Sequence, residues 1–489
     1  MPLNMKEFLS QLFIYDSQSP LLFNSGSFFV LFTVFVVIYA LIKGNRLSVT
    51  LYVIAFSFFF YYKSSGWYFL ILVFTAITDW GFAILIDKTE NQKLRKFWLL
   101  LALFMSLGLL AYFKYTNFLA FNIAQLLQTN FQPLDIFLPV GISFYTFQSV
   151  SYVLDVYWKK LKPSQNILDY AFFLSFFPQL VAGPIVKANL FLPQLEKKIT
   201  ITRQAMYSGL YLVIMGLIKK AVIADYIAQY NDLVFADPTH YSGFENLMAV
   251  YGYTLQIYMD FSGYSDMAIG LGLMMGFDFG VNFLLPYQSK NITEFWRRWH
   301  ISLSSWLRDY LYIPLGGNRK GKVRTYINLF ITMFLGGLWH GASWKFVFWG
   351  AWHGIGLAIH KFLKKKLDAI PNTYVVTFLS WFVTFHFVIF LWIFFRAESF
   401  QVAWQMIAQI ATQMDLAYIA PFVSVRSTWI VMLIVGYIMH SFSLQYAERT
   451  TQKFVDSPYW LKIAFFIIAV QLVIQFQSED VQPFIYFQF

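Results

Sequence analysis

Long apolar runs recur along the whole chain, and most are nearly as long as a helix that crosses a bilayer, which needs about 20 mostly apolar residues. Some runs are short and some are interrupted, so we expect about 11 transmembrane helices, supplemented by re-entrant and interfacial helices. The runs are too uniformly apolar for the alternating strands of an outer-membrane barrel. The sequence therefore predicts an all-α polytopic membrane protein. The candidate spans are Ser27–Ile42, Leu47–Tyr62, Gly66–Ile86, Phe97–Phe118, Ile136–Trp158, Tyr207–Tyr226, Phe244–Phe277, Tyr326–Leu338, Trp344–His360, Thr373–Phe395, Trp429–Phe442 and Tyr459–Phe476.

The composition agrees with a membrane protein. Of the 489 residues, 58% are hydrophobic and only 12% are charged, whereas soluble domains carry roughly 25% charged residues. The chain contains no Cys, which excludes thiol nucleophiles, Cys-based zinc sites and iron–sulfur clusters. No Gly/Ser-rich linker and no strong repeat divides the sequence, so we expect one integral-membrane domain, 1–489, without a bound metal.

Basic residues indicate the orientation in the membrane. The net charge of +11 is typical of cytoplasmic loops enriched in Lys and Arg, and we do not expect nucleic-acid binding. Lys43 and Arg46 follow the first span, and Lys361–Lys366 form another basic end. This pattern predicts that both termini are extracytoplasmic. It also predicts that Tyr170–Val186, with its prolines and glycine, is a re-entrant or interfacial hairpin.

The longest polar interruption is Tyr287–Arg324, where eight basic residues face only two acidic ones. Within it, Thr293–Tyr310 has the spacing of an amphipathic interfacial helix with Thr293 as its N-cap. Two interpretations remain open for its charges. They hold the loop in the cytoplasm against anionic lipid, or they form the mouth of a site for a polyanion such as a nucleotide or coenzyme A.

Two histidines are candidate catalytic residues. His340 follows about 14 apolar residues, or ~21 Å of helix, beyond the cytoplasmic edge, while His300 lies on the interfacial segment. Ionisable side chains inside a bilayer are functional candidates, and neutral imidazole is a common general base. The alternative is a histidine that hydrogen-bonds between packed helices.

Asp260 and Asp266 interrupt another apolar run. Their spacing of six places them on different faces of a helix, so we do not expect a shared carboxylate pair. We interpret them, together with Trp339, as residues that line a polar tunnel, or, for the two carboxylates, as residues that pack a broken helix. Neither a Gly-x-Ser-x-Gly nor a His-Glu-x-x-His pattern is present, so a serine hydrolase or zincin is unsupported.

Several blocks together resemble the membrane-bound O-acyltransferases. The resemblance is greatest to the bacterial branch that acetylates alginate and peptidoglycan and D-alanylates teichoic acids. It covers about 138–395. The blocks are Phe137–Tyr145, Phe177–Ile185, Asp260–Gly272, Phe295–Leu303, Tyr310–Arg319 and Gly336–Ala342.

This resemblance implies a helical fold around a tunnel across the bacterial cytoplasmic (inner) membrane. It implies that His340 is the residue most needed for transfer, with His300 on the cytoplasmic side. The implied reaction carries an acetyl group from cytoplasmic acetyl-CoA toward a sugar hydroxyl outside, without a permanently bound cofactor. His340 would deprotonate the acceptor or carry the acyl group transiently. The expected contacts to coenzyme A phosphates are Arg297, Arg298, Arg319 and Lys320.

The expected partners are the lipid bilayer, a polysaccharide acceptor and an extracytoplasmic acetyltransferase of the SGNH-hydrolase type. The tail 478–489 is aromatic and carries Tyr486, similar to the tail of small partner peptides in the D-alanylating branch. One hypothesis is that Tyr486 relays the acyl group outward. The other is that the tail is an interfacial aromatic anchor.

Other functions remain open. A transporter without covalent chemistry would explain the spans and the buried polar residues but not the paired histidine blocks. A lipid or protein acyltransferase would share the fold. An alginate-like polymer and peptidoglycan are not separated as acceptors, and D-alanyl transfer is less favoured because the chain is longer than is usual in that branch.

Overall fold

The described part of the chain is helical. A computed structural model describes residues 10, 12–16, 20–181 and 183–476, and no strand occurs among them. The chain divides into two compact units. The first comprises Met1–Leu210 and Met267–Gly280, and the second comprises Tyr211–Asp266 and Val281–Phe489. The single-domain assignment of 1–489 stays a prediction.

Nine helices begin in the first unit within the described residues. They are α1 (Gly26–Ile42), α2 (Arg46–Ser65), α3 (Phe69–Lys88), α4 (Gln92–Leu126), α5 (Ile142–Tyr157), α6 (Ile167–Ser175), α7 (Phe177–Leu180), α8 (Ala188–Glu196) and α9 (Arg203–Leu217).

Polar side chains start several of these helices and also join them. Ser25 caps α1 by accepting a hydrogen bond from the Phe28 amide at 3.2 Å, which satisfies one of the amides that lack an intrahelical partner. Inside the unit, the Asp79 carboxylate accepts hydrogen bonds from the hydroxyls of Ser106 and Ser149. A buried carboxylate needs such partners, so these bonds fix α3 against α4 and α5.

The remaining helices belong mainly to the second unit, although 267–274 of α11 count with the first. Two π-helical turns, Ile218–Ala224 and Arg308–Tyr312, follow α9 and α13. The helices are α10 (Asp225–Ala236), α11 (Gly243–Met274), α12 (Ile292–Arg298), α13 (Ile301–Leu307), α14 (Lys322–His340), α15 (Trp344–Asp368), α16 (Tyr374–Arg396), α17 (Phe400–Thr412), α18 (Ile419–Val425), α19 (Ser427–Ser441), α20 (Leu444–Asp456) and α21 (Tyr459–Phe476).

The expected number of about 11 transmembrane helices is not confirmed. Four helical segments of the described chain are long and apolar enough to cross a membrane: Arg46–Lys88, Gln92–Leu126, Tyr374–Arg396 and Tyr459–Phe476. A fifth results if Leu416–Val425 and Ser427–Ser441, bent by 93°, count as one span. Arg46–Lys88 is one of these four segments, whereas the sequence predicts two spans in this stretch that meet near Gly66.

The predicted amphipathic helix Thr293–Tyr310 is wrong as one element. It is broken at His300, whose φ of 42° lies in the left-handed region. The Ile301 amide donates to the Asn282 carbonyl at 2.9 Å instead of continuing the helix. The cap prediction is also wrong, because Asn291, not Thr293, accepts a hydrogen bond from the Glu294 amide at 2.8 Å. Tertiary hydrogen bonds therefore override the helical periodicity here.

The predicted hairpin Tyr170–Val186 contains the end of α6 and the four-residue α7, in a stretch whose described residues are buried. Gly141 lies against it, because a Cβ at this position would meet the Leu180 carbonyl oxygen at 2.5 Å. Its φ of 74° also suits glycine. The interruption of helix is confirmed, whereas its placement relative to the membrane stays a prediction.

Glycines allow α14 and α15 to pack closely, and this places the residues at the end of α14. A Cβ on Gly337 would meet the Phe346 carbonyl oxygen at 2.3 Å, and one on Gly350 would meet the Met333 carbonyl oxygen at the same distance. Only glycine, which has no Cβ, fits at these two positions, so the backbone of α14 packs directly on the backbone of α15. His340 is the last residue of α14, and its position depends on this packing.

Candidate functional site

A cavity of about 840 Å³ lies in the second unit among α12, α13, α14, α15 and the turn Arg308–Tyr312. We call it the basic cavity. Its polar and charged lining residues are Asn291, Thr293, Glu294, Arg297, Ser304, Ser305, Arg308, Tyr312, Asn318, Thr332, His360, Lys361, Lys364 and Asp368, and its apolar ones are Trp296, Ile301, Leu307, Leu329, Met333 and Leu357.

Positive charge exceeds negative charge in this lining. Arg308 is paired with Asp309 at 2.7 Å, while Arg297 has no acidic partner among the described residues. Lys361 donates a hydrogen bond to the Asn318 amide oxygen, which also accepts from the Tyr312 hydroxyl at 2.6 Å. Cations that are held by neutral groups keep their charge available for a ligand. The arrangement therefore suits an anion such as a phosphate.

The four predicted phosphate contacts are not brought together. Arg297 lines the basic cavity. Arg298 instead pairs with Glu294 at 2.7 Å. Arg319 and Lys320 are exposed and lie outside the lining, and the Lys320 stem folds toward Gly316. The phosphate-binding role of these residues stays a prediction.

Sequence reasoning missed the contribution of α15 to this cavity. His360, Lys361 and Lys364 were visible only as a basic helix end, yet the fold places them in the same lining as Arg297. His360 is hydrogen-bonded through Nδ1 to the Thr293 hydroxyl at 2.8 Å. Their spacing along α15 puts them on one side of that helix, which was the signal available in the sequence.

His300 is completely buried and is held by Asn282. The Ser302 backbone amide donates to the Asn282 side-chain oxygen at 3.2 Å, which fixes this oxygen as the acceptor toward the Ser302 hydroxyl at 2.9 Å and His300 Nδ1 at 3.2 Å. The Asn282 side-chain nitrogen then donates to the Ser265 hydroxyl at 3.0 Å. This pattern assigns the proton of neutral His300 to Nδ1 and the lone pair to Nε2.

Burial lowers the pKa of His300 to about 3. Desolvation disfavours the imidazolium ion, so the ring is neutral across the physiological range. A neutral ring with its lone pair on Nε2 can accept a proton or a hydrogen bond. Asn282, which sequence reasoning did not single out, is therefore part of the candidate site.

His340 lies in an aromatic enclosure and is only 2% exposed. Its ring centroid is 5.0 Å from those of Trp339 and Trp349 and 5.4 Å from that of Phe395. Trp339 also lies 6.2 Å from the His300 ring. The two predicted catalytic histidines are thus close to the same tryptophan, within one unit.

His353 connects the basic cavity with this enclosure, a role that the sequence did not reveal. Trp296, which lines the cavity, donates its indole proton to His353 Nδ1 at 3.3 Å. The His353 ring is 4.6 Å from Trp349, which contacts His340. His353 Nε2 has no hydrogen-bond partner within the described residues. A buried acceptor or donor of this kind is normally satisfied by water or a ligand.

Asp260 and Asp266 form separate ion pairs, as their different faces on α11 predict. Asp260 lies 3.1 Å from Lys220, and Asp266 lies 2.6 Å from Lys219. Neither they nor Trp339 line the basic cavity, and a tunnel-lining role stays a prediction for all three. Tyr486 lies outside the described residues.

The chain is similar in sequence to a known family and to several known proteins. Residues 164–400 match the sequence profile of the membrane-bound O-acyltransferase (MBOAT) family. Probable alginate O-acetylase AlgI of Pseudomonas aeruginosa is 44% identical over 396 residues, or 79% of this chain and 74% of that protein. Peptidoglycan O-acetyltransferase of Helicobacter pylori is 38% identical over 385 residues, or 73% of each chain. Teichoic acid D-alanyltransferase of Bacillus subtilis is 31% identical over 53% of this chain and 69% of its own length.

Proposed function

The chain belongs to the membrane-bound O-acyltransferase family and is an O-acyltransferase, and on this premise we propose its donor, acceptor and direction of transfer. The donor is acetyl-CoA on the cytoplasmic side of the inner membrane. The acceptor is an envelope or secreted polysaccharide outside, reached through a separate extracytoplasmic acetyltransferase of the SGNH-hydrolase type.

The basic cavity is the observation that carries this proposal. Coenzyme A presents several phosphate charges at one end and a thioester at the other. Arg297, Lys361 and Lys364 supply cations for the phosphates. The apolar lining, including Met333 and Leu357, suits the less polar arm. The volume of about 840 Å³ lies within the range of ligand sites.

The histidines supply the chemistry that acyl transfer requires. Attack on a thioester needs a base to remove the proton of the attacking hydroxyl, and neutral imidazole is suited to this step. His340 acts as this base or carries the acyl group transiently on a ring nitrogen. His300, with its lone pair on Nε2, lies on the donor side. Trp339 lies beside both rings and excludes water that would hydrolyse the thioester.

An alginate-like polymer is the first acceptor to test. The relatives named for alginate are 44–50% identical to this chain over the matched residues, and the relative named for peptidoglycan is 38% identical. The relay hypothesis for Tyr486 belongs to the same pathway, since an extracytoplasmic transferase must receive the acyl group. Its test is Tyr486→Phe, which abolishes acetylation only if the hydroxyl carries the acyl group.

The test uses purified protein in proteoliposomes with labelled acetyl-CoA on the side of the basic cavity. With the partner supplied, we expect the wild type to carry the label or to pass it to an added polysaccharide. We expect His340→Ala to lose this labelling. His386→Ala is the matched control, because within the described residues His386 hydrogen-bonds only to Tyr251 and to a carbonyl of its own helix. It should retain transfer.

Other outcomes assign a different function. Label that reaches lipid or protein but no polysaccharide would indicate an acyltransferase with another acceptor. Intact acetyl-CoA in the wild type, with partner and acceptor present, would contradict the proposed donor. Acetyl-CoA that appears unchanged on the other side would favour transport without covalent chemistry.

A further inference from the structure

A stripe of buried polar side chains follows one side of α11 in the second unit, separate from the basic cavity. Tyr253, Gln256 and Asp260 recur at spacings of three and four, which places them on one helical face. Asp266 follows six residues later, on a different face of α11. We call these four residues, with Arg396 and the side chains of α10 and of the turn Ile218–Ala224 that meet them, the polar stripe.

The middle of the polar stripe is an ammonium ion between two carboxylates. Lys220 Nζ lies 2.7 Å from Asp225 and 3.1 Å from Asp260, and the Lys220 side chain is 1% exposed. The π-helical turn that holds it approaches α11 closely, since a Cβ on Gly263 would meet the Lys219 Cβ at 3.0 Å and the Lys220 amide nitrogen at 3.1 Å. Widened turns of this kind occur frequently at functional sites.

The two ends of the polar stripe are more accessible than its middle. At one end Lys219 pairs with Asp266 at 2.6 Å, with side chains 18% and 23% exposed. At the other end Arg396 pairs with Asp232 at 2.6 Å, with side chains 17% and 34% exposed. Ion pairs thus lie at the two accessible ends of the polar stripe and at its buried centre.

Tyr253 interacts with groups of both the Arg396 end and the buried centre. Its electrostatic partners are Arg396, Asp232 and Asp260. Its hydroxyl is buried and has no hydrogen-bond partner within the described part of the chain. Buried hydroxyls are normally paired, so ordered water is expected to complete the connection here.

Acyl transfer across a membrane releases a proton on one side and consumes a proton on the other, and the inference drawn from this rests on the proposed function. The C–S bond of acetyl-CoA breaks and a C–O bond to the acceptor forms. The acceptor hydroxyl loses a proton outside, and the coenzyme A thiolate must gain one in the cytoplasm. If the hydroxyl releases its proton to external water and the thiolate takes one from cytoplasmic water, one positive charge moves outward per turnover. At 100 mV that charge changes the equilibrium by about 50-fold.

We propose that the polar stripe returns the acceptor proton to the cytoplasmic side while the acyl group moves outward. The net movement of charge is then zero. Arg396 follows Phe395, whose ring centroid lies 5.4 Å from that of His340. Asp266 follows Ser265, which accepts a hydrogen bond from the Asn282 that holds His300. Each end of the stripe is therefore adjacent in sequence to a residue near one of the two candidate histidines.

The test measures acetyl transfer in proteoliposomes while a potassium gradient with valinomycin sets the membrane potential and a dye reports pH in the donor compartment. For the wild type we expect a rate that changes by less than about twofold over 100 mV, against the limit of about 50-fold. We also expect no proton uptake from the donor compartment.

Two variants interrupt the polar stripe with little effect on folding. Tyr253→Phe removes a hydroxyl that bonds to no described residue. Asp260→Asn leaves Lys220 with Asp225 as a neutral pair. We expect each variant to transfer more slowly, to become dependent on potential, and to take up one proton from the donor compartment per acetyl group. Tyr251→Phe, on the same helix but bonded to His386, is the matched control and should behave as the wild type.

The outcomes separate this proposal from the proposed function. Proton uptake by the wild type, or variants that transfer slowly but remain independent of potential, would overturn the proton return. Variants as fast as the wild type would overturn it too. The absence of acetyl transfer in the wild type would instead show that the proposed donor or acceptor is wrong.

Discussion

At the scale of the residue, Asn282 and His300 show how a candidate catalytic side chain is oriented by hydrogen bonds within the fold. The Asn282 amide nitrogen is committed to Ser265, which leaves its oxygen to accept from His300 and Ser302. Reversing this amide would place two donors against each other. The tautomer of His300 is therefore a consequence of a residue 18 positions earlier.

Replacing Asn282 tests this orientation. We expect Asn282→Ala to lower the rate of acetyl transfer by about 10²-fold, because displacing a reacting group by about 1 Å can lower a rate by that much. Radiolabel transfer at saturating acetyl-CoA measures it.

Asn246→Ala is the control for Asn282→Ala. Asn246 is also buried and bonds three carbonyls near the start of α11, so both variants lose a buried amide and some stability. If Asn282→Ala, like Asn246→Ala, lost no transfer per folded molecule, Asn282 would act only on folding.

His300 was recognised from the sequence, whereas Asn282 was not. A histidine in an apolar context is conspicuous because ionisable groups are rare there. An asparagine in a loop has many ordinary roles, and no spacing rule connects 282 with 300. The hydrogen bonds that join them depend on the break between α12 and α13.

At the scale of the element, apolar runs predicted helices well, while breaks were predicted poorly. Predicted Trp344–His360 became α15 and Thr373–Phe395 became α16, with changes at the ends. The break at His300 was missed because Trp296, Trp299 and Leu303 have helical spacing on both sides of it. The left-handed backbone is stabilised by a hydrogen bond to Asn282 from the following residue, which a local pattern does not contain.

The contact between α14 and α15 gives a second prediction. We expect Gly337→Ala to destabilise the protein by about 1–3 kcal/mol, since overpacking forces backbone apart, and to impair transfer because His340 ends α14. Thermal unfolding in detergent and the transfer assay measure the two effects.

Gly81→Ala is its matched control within a helix. A Cβ built at Gly81 on α3 would meet no atom within 4 Å beyond its chain neighbours and the adjacent backbone of its own helix, among the described residues. Alanine has the higher helix propensity by about 1 kcal/mol, so this variant should be as stable as the wild type or more stable. Equal effects of the two substitutions would contradict close packing at Gly337.

At the scale of the whole molecule, the basic cavity was predicted as a property of one loop, but its cations come from two separate segments. The sequence pointed to 297–320, but the lining combines Arg297 and Arg308 with Lys361 and Lys364 of α15. Charge counting finds basic residues, and only the fold decides which of them share a cavity.

Two neighbouring lysines on α15 distinguish donor binding in the basic cavity from a general effect of positive charge. We expect Lys364→Ala to raise KM for acetyl-CoA by about 3- to 10-fold with little change in kcat, since an exposed cation contributes modest, uniform binding. Lys366→Ala removes the same charge outside the lining and should leave KM unchanged. Initial rates at several acetyl-CoA concentrations distinguish the two, and equal KM values would remove Lys364 from the donor site.

The absence of Cys from the sequence makes the orientation directly measurable. A single cysteine at Lys366 should react with an impermeant maleimide only from the cytoplasmic side, and one at Met414, which is 41% exposed, only from outside. Labelling of intact spheroplasts and of inverted vesicles gives the answer. The reverse pattern would invert the predicted topology and place the basic cavity outside.

The left-handed backbone at His300 has a genetic consequence. Few residue types adopt this conformation readily, and Asn is among them. Histidine and asparagine codons differ by one base at the first position. A single transversion can therefore exchange an imidazole for an amide while the break between the two helices is kept, so the chemistry at this position can change without a change of fold.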